Sequence, residues 1–417
     1  MNINYADSPT LADAFLDQLD AVQKLALDTE TTGLDARIAR CRLIQLCSAE
    51  TADPQDIYIF DLWKIGDKTR LKKFIESRET LIAHNWNFDY QFLLSEGIEF
   101  KGKTFCTYLA ERTLRAGFKE KKVAPKTQKP YFADVSCGLK AVAERRLEIQ
   151  LEKELQTSDW SADKLSVEQL KYGALDVQIL PKLARLQIAE LQEENLMSIF
   201  SVESRCVRPV AKMCYQGFAI DVQKLATLKS EVEHELEAKT KEFVQQLDSR
   251  LPEDNKLPRT IEGDIVVGKN AKKEFNPGST TQVIKAFDLC GIEVPRDSVT
   301  GKPTLSQIAL SEFDSDDPTM NLYRERVKIE TKLEHCEKLL SNVNPLTHRI
   351  HSQYNQFGAN SGRFTCNGAP RESKKQKKSV FAVNIQQVPR AKEYRECFVA
   401  AKGYKLVIAD YNQMELR

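Results

Sequence analysis

The stretch LALDTETTGLD, Leu25 to Asp35, ends an apolar run in two carboxylates one residue apart, followed at once by a threonine pair and a glycine. In a strand successive side chains point to opposite faces, so Asp28 and Glu30 share one face and crowd one small volume at the strand's end. Like charges that close ask for a cation between them. A divalent ion such as Mg²⁺ answers, because it takes hard oxygen ligands and retains waters that can become nucleophiles. A bare D-x-E also fits a strand running into a polar turn, so the chemistry requires further acids from elsewhere. Asn85 and Asp89 in HNWNFDYQFLL, and Tyr172 and Asp176 in YGALDVQIL, are each four apart, which puts the members of each pair on one face of a helix. Either pair alone also fits a solvated helix face, with Tyr172 half-buried and its hydroxyl at the surface.

The elements that must position these groups are legible around them. Short apolar runs (LALD, RLIQLCSA, DIYIFDLW) alternate with turn residues from Leu25 to about Leu62, as expected of sheet strands. Helical spacing follows in KTRLKKFIESR, NFDYQFLLSEG, SCGLKAVAERRLEI and SVEQLKYGALDVQILPKLARLQIAELQEENL. The first 192 residues therefore read as one mixed α/β domain. A long helix in VQKLATLKSEVEHELEAKTKEFVQQL and another in TMNLYRERVKIETKLEHCEKLLSNV mark a mainly helical region over 193–345, interrupted by a polar, Pro-bearing segment. A third region, 346–417, closes on YKLVIADYNQMELR, where strand character returns over Lys405 to Asp410.

At 417 residues the chain exceeds one ordinary core. No window is apolar enough to span a bilayer, and the acidic N-terminus lacks a basic leader, which argues against a membrane and for the cytoplasm. Ten scattered cysteines form no C-x-x-C pair, so they read as reduced thiols, with neither a zinc site nor a disulfide framework. Net charge is only +1, but two segments are locally basic: RAGFKEKKVAPKTQKPYF at 115–132 and RESKKQKKS at 371–379. Each reads as a loop; together they hint at phosphate contact.

The trio D-x-E, N-x-x-x-D and Y-x-x-x-D, in this order, resembles the tyrosine-bearing branch of the DEDD superfamily of 3′→5′ exonucleases, and the resemblance covers about Leu25 to Leu191. It implies an RNase H-like fold in which Asp28, Glu30, Asp89 and Asp176 hold two Mg²⁺ ions, with Mn²⁺ as an alternative, and Tyr172 orients the attacking water. Two ions can serve both ends of an in-line phosphodiester displacement, and four acids are enough to hold them. Asn85, uncharged, is expected to bind the substrate strand or orient Asp89, and His84 to pack or to start a helix.

The rest of the chain is similar to the family A DNA polymerases. RCVRPVAKMCYQGFAID resembles the entry to the thumb, and FNPGSTTQVIKAFDLCGI a family element in which Ser279 caps a helix. NSGRFTC followed by VNIQQVPR resembles the palm entry; the resemblance implies that Arg363, Gln386 and Gln387 lie along the template-primer, while the loop between them is longer and more basic than the family's, and its charge, not the resemblance, points Lys374 and Lys375 to phosphates. DYNQMELR is similar to polymerase motif A, which implies a strand delivering Asp410 to metal, Tyr411 and Gln413 near an incoming nucleotide, and Glu415 against its sugar. The residues that the family places after motif A are not in the sequence. The expectation is an α/β exonuclease domain, a mainly helical thumb and an incomplete α+β palm: a proofreading exonuclease on single-stranded 3′ ends and template-primer DNA that requires a complementing C-terminal chain for synthesis. A standalone exoribonuclease of the same superfamily and a non-catalytic DNA-binding subunit are the alternatives.

Overall fold

A computed structural model describes residues 1–125, 128–151, 158–268, 273–298, 300–359, 361–368 and 380–413. The chain forms two compact units, Met1–Ala219 with Asn342–Gln387, and Ile220–Ser341 with Val388–Arg417.

The first unit is built on a six-stranded sheet of β1 (Asn2–Ala6), β2 (Lys24–Thr31), β3 (Cys41–Ser48), β4 (Asp56–Asp61), β5 (Thr80–Ala83) and β6 (Lys103–Cys106). The order is β1-β4-β3-β2-β5-β6, antiparallel between β4, β3 and β2 and parallel elsewhere, an RNase H-like mixed sheet. Central β3 reads CRLIQLCS and is buried along nearly its whole length, the near-continuous apolar run expected of a strand covered on both faces. Helices α1 (Pro9–Leu19), α2 (Thr69–Glu76), α3 (Trp86–Ser95), α4 (Thr107–Leu114), α5 (Leu139–Leu147), α6 (Val167–Gln178), α7 (Leu180–Glu193) and α8 (Met197–Gln216) accompany the sheet.

Local chemistry sets several of these boundaries. Ser166 caps α6 by accepting from Gln169 N, while the Gln169 side chain returns to the Ser166 backbone, a complete capping box. The run expected as one helix from Val167 is two: α6 stops at Gln178, and Pro181 sits in the first turn of α7, where a missing N–H does no harm. Buried Glu111 of α4 accepts from Arg145 at 2.7 Å and Arg146 of α5 and from Gln187 of α7 at 3.1 Å, tying three helices together. Burial pushes its carboxyl up, but these donors more than offset that and hold it below the usual range.

Segment 115–132, expected as a basic loop, contributes to a two-stranded antiparallel ribbon, β7 (Lys119–Val123) and β8 (Pro130–Asp134). After α8 the chain turns at Gly217 (φ 60°), where an added Cβ would meet Ile350 O at 2.4 Å, so glycine is required for β9 (Phe218–Ala219) to pair with β10 (Arg349–Ile350). A second small pair, β11 (Gln353–Asn355) and β12 (Thr365–Asn367), completes the unit. The units are thus cut at points other than the sequence divisions at 192 and 345, because α8 packs on α3 and β6 and the 342–387 segment is bonded to this unit, as where Asn87 donates to Tyr354 O at 3.1 Å.

The second unit is helical: α9 (Val222–Arg250), α10 (Thr280–Leu289), α11 (Gln307–Glu312), α12 (Pro318–Leu340) and short α13 (Lys392–Arg395). Phe243, Phe287 and Tyr323 meet at ring separations of 5.4–6.2 Å in its core. Ser279 caps α10, as its sequence suggests, by accepting from Gln282 N. The strand expected over 405–410 does not form. Lys405 to Asp410 have no regular structure and are exposed, Val407 by 89% and Ile408 by 93%, because β propensity makes a strand only beside a hydrogen-bonding partner, and among the described residues none pairs with them. No helix among the described residues is long and apolar enough to cross a membrane.

Candidate active site

Asp28 and Glu30 stand on one face of β2 near its C-terminal end. Between Glu30 and Thr31 the register with β3 slips, Glu30 facing Leu43 and Thr31 facing Cys41, a bulge that re-aims the strand end where the acids sit. Asp89 comes from the first turn of α3, 2% exposed, and accepts from the Thr29 hydroxyl at 2.7 Å. Tyr172 and Asp176 come from α6, which packs across β2, β3 and β4; the Cys47 thiol reaches Val177 O at 3.5 Å on that face. Asp35, the last acid of the opening stretch, is committed instead to an ion pair with Arg37 at 2.6 Å.

The four carboxylates feel one another. Burial, then the charges of Asp89, Glu30 and Asp176, push the Asp28 carboxyl well above its ordinary value. Burial, then Asp176 and Asp89, do the same to Glu30. Burial lifts Asp89 to about 7 against the opposing bond from Thr29, and Asp176 to about 6 against the bond from Tyr172. Burial followed by Asp176 and Glu30 raises the Tyr172 phenol, so it stays a neutral donor, its ring tilted against Trp160 at 6.5 Å.

The donor set suits a hard divalent cation: oxygen ligands only, mutually repelling, withdrawn from water. Among the described residues no three of these acids are already arranged around a common metal position. One buried group in its wall also lacks a partner. Gln45, fully buried on β3 directly opposite Asp28, has neither amide atom hydrogen-bonded. Its amide lies against Gly173, whose added Cβ would come within 2.4 Å of Gln45 Nε2 and 3.5 Å of Glu30 Oε1. The glycine between Tyr172 and Ala174 is what lets α6 settle this close to the sheet.

Sequence reasoning missed Gln45, Gly173 and Thr29. The available signals were a lone amide in the apolar run RLIQLCSA and a helical glycine beside the tyrosine.

Asn85 precedes α3 in the left-handed conformation (φ 59°, ψ 48°), which asparagine is one of the few non-glycine residues to tolerate, and its exposed side chain makes no capping bond. It borders a cavity of about 100 Å³ with Leu34, Asn87, Phe88, Gln353 and Asn355. His84 Nδ1 meets the Thr107 hydroxyl at 2.9 Å, and burial lowers the ring's pKa to about 4. Arg363, Gln386 and Gln387 are exposed in the same unit, and Gln386 donates to Phe364 O at 3.3 Å, beside Arg363. Asp410, Tyr411 and Gln413 lie exposed outside any strand in the helical unit, Gln413 in a turn with φ 51°. Lys374, Lys375 and Glu415 fall outside the described residues.

Residues 3–187 match the family described as 3′–5′ exonuclease, and residues 255–417 the family described as DNA polymerase family A. The chain is thus similar to the family A DNA polymerases over its C-terminal part and to a 3′–5′ exonuclease over its N-terminal part. It combines a 3′–5′ exonuclease domain with part of a polymerase domain. It is 29% identical to DNA polymerase I of Aquifex aeolicus, over 94% of this chain and 58% of that protein, and 23% identical to DNA polymerase I of Pseudomonas aeruginosa, over 97% of this chain and 41% of that one. The chain therefore spans about half the length of these relatives. Among solved structures it is similar in fold to the POL domain of Pol1 from M. smegmatis in complex with DNA primer-template and dNTP, with a TM-score of 0.66 at 18% identity, covering 97% of this chain and 59% of that one.

Proposed function

We propose that this chain removes nucleotides from the 3′ end of a DNA strand by hydrolysis at Asp28, Glu30, Asp89 and Asp176. The observation that carries the reading is a set of four neighbouring carboxylates, Asp28 half-buried and Glu30, Asp89 and Asp176 buried, in which the neighbours' charges raise the proton affinity of Asp28 and Glu30, a cost in stability that divalent charge would relieve. These four residues are the ones to hold two Mg²⁺ ions, or Mn²⁺; bound there, the ions supply charge relief at the attacking and leaving oxygens. Tyr172, neutral and hydrogen-bonded to Asp176, orients the attacking water with its hydroxyl. Asn85 binds the incoming strand. Thr29 fixes Asp89 from behind.

The segments 1–192, 193–345 and 346–417 serve as exonuclease, thumb and palm portions. Arg363, Gln386 and Gln387 lie along template-primer DNA with Lys374 and Lys375 on its phosphates, and Asp410, Tyr411, Gln413 and Glu415 belong to a nucleotide site. The match of 255–417 to the polymerase family supports this part.

The test is digestion of a 5′-labelled DNA oligonucleotide and an RNA of the same sequence in Mg²⁺. Stepwise shortening of the DNA from its 3′ end, with nucleoside monophosphates released and a 3′-blocked strand left intact, is expected. Internal cuts, or a clear preference for the RNA, would reject the reading.

A further inference from the structure

The ribbon of β7 and β8 is not accounted for by the cleavage chemistry. Its cross-strand pairs are Lys119 with Asp134, Lys121 with Phe132 and Val123 with Pro130 on one face, and Glu120 with Ala133 and Lys122 with Tyr131 on the other. Every residue of the first face is exposed, Phe132 by 73% and Val123 by 56%, and Phe118 just before the ribbon by 60%. A two-stranded ribbon gains little stability of its own, and large apolar side chains held in water on it gain none. Its charges are only partly cancelled: Lys119 pairs with Asp134 and Lys122 with Glu120, whereas Lys121 makes no ion pair among the described residues. Lys129, in the connecting turn, is exposed as well. The face therefore sets a bare aromatic ring beside an uncompensated cation, complementary to a partner with flat apolar rings and regularly spaced negative charge.

The ribbon also leaves the body next to the acids' neighbourhood. Its second strand runs into Ser136 and Cys137; Arg145 holds Ser136 O at 2.8 Å, and the Cys137 backbone lies close to His84, the residue before Asn85.

We propose that the Lys121–Phe132 face of this ribbon is a binding platform for single-stranded DNA, on which a base stacks against Phe132 while Lys121 contacts the backbone, guiding the strand toward Asn85. Unpaired strands are selected because a duplex buries the base faces that Phe132 needs. Only the destination of the strand rests on the exonuclease reading; the binding does not.

The test uses the full chain in EDTA, where no cleavage occurs, titrated with a fluorescent twenty-nucleotide oligo(dT). Relative to the parent, Phe132→Ala with Lys121→Ala should weaken binding by about tenfold and lower the log–log salt slope by roughly one. Lys121→Arg should restore the slope. Replacing 119–134 by a short Gly-Ser turn should give at least the same loss, while hydrolysis of a dinucleotide in Mg²⁺, too short to reach the ribbon, should be unchanged. Affinity for oligo(dT) that stays within about twofold of the parent in both variants would overturn the proposal. So would an equal loss for a blunt duplex of that length, or loss of binding only to anionic phosphatidylserine vesicles. If the parent cleaves no DNA in Mg²⁺ but the ribbon variants still lose oligo(dT) binding, the exonuclease reading fails and the platform stands.

Discussion

Replacing Asp89 by asparagine should make the metal-free protein more stable, by an amount that grows with pH. Asp89 is almost wholly buried and lifted to about 7 by that burial. A carboxyl whose folded-state value is raised keeps its proton more tightly in the native than in the unfolded chain. Its burden on stability is therefore small at pH 4, increases as pH rises toward 7, and is fully present above that. Each tenfold gain in proton affinity is worth about 1.4 kcal/mol, so a gain of roughly three decades bounds the burden at about 4 kcal/mol at pH 8, of which ~2–3 kcal/mol develops between pH 5 and 8. Asparagine removes the charge yet keeps an oxygen to accept from Thr29. All three tryptophans, Trp63, Trp86 and Trp160, belong to the unit that carries the acids, so intrinsic fluorescence during urea unfolding follows that unit. In EDTA the midpoint of Asp89→Asn should exceed that of the parent at pH 8 and approach it at pH 5, with the slope m unchanged. Adding Mg²⁺ should stabilise the parent more than the variant, because a ligand that binds only the native state shifts the equilibrium toward it. A variant equally or less stable at pH 8, with a difference that does not vary with pH, would refute the reasoning.

Gln45→Met should raise the melting temperature in EDTA, since two buried unpartnered polar atoms disappear at a gain of about 1–3 kcal/mol, and should slow cleavage by loosening the wall behind Asp28 and Glu30; thermal denaturation and single-turnover digestion check both. Glu111→Ala should cost about 2–3 kcal/mol in urea unfolding, because the donors of Arg145, Arg146 and Gln187 lose their shared acceptor while Arg146, only 8% exposed in its side chain, keeps Glu190 at 2.6 Å. Neutralising Lys374, Lys375, Lys377 and Lys378 should lower the salt slope of duplex binding by roughly one for each phosphate no longer neutralised, and an unchanged slope would show them to be solvated charges.

The acids were legible because residue type and spacing carry them: a period of two for Asp28 and Glu30, and of four for Asn85 and Asp89 and for Tyr172 and Asp176. Most helices were legible for the same reason, since periodicity and caps such as Ser279 are local. What escaped is nonlocal. Gln45 has no periodic signature, and its importance comes from Gly173, more than a hundred residues away in sequence. The ribbon read as a charge run because lysines occupy both of its faces and hide the alternation that exposes Lys121 and Phe132 together. Over Lys405 to Asp410 the error ran the other way: strong strand character, with no hydrogen-bonding neighbour among the described residues to realise it. Local composition likewise does not encode that the Asn342–Gln387 segment returns to the unit begun by Met1.

The most direct measurement is the release of 3′-terminal nucleoside monophosphate from single-stranded DNA in Mg²⁺ by the parent chain, Asp28→Ala and Asp176→Ala, with DNA affinity measured in parallel in EDTA. If the four-acid cluster is the catalytic centre, both variants lose most of the cleavage while binding DNA as the parent does, because the acids support chemistry and cations supply most of the affinity. Cleavage by Asp28→Ala at the parental rate would contradict that assignment.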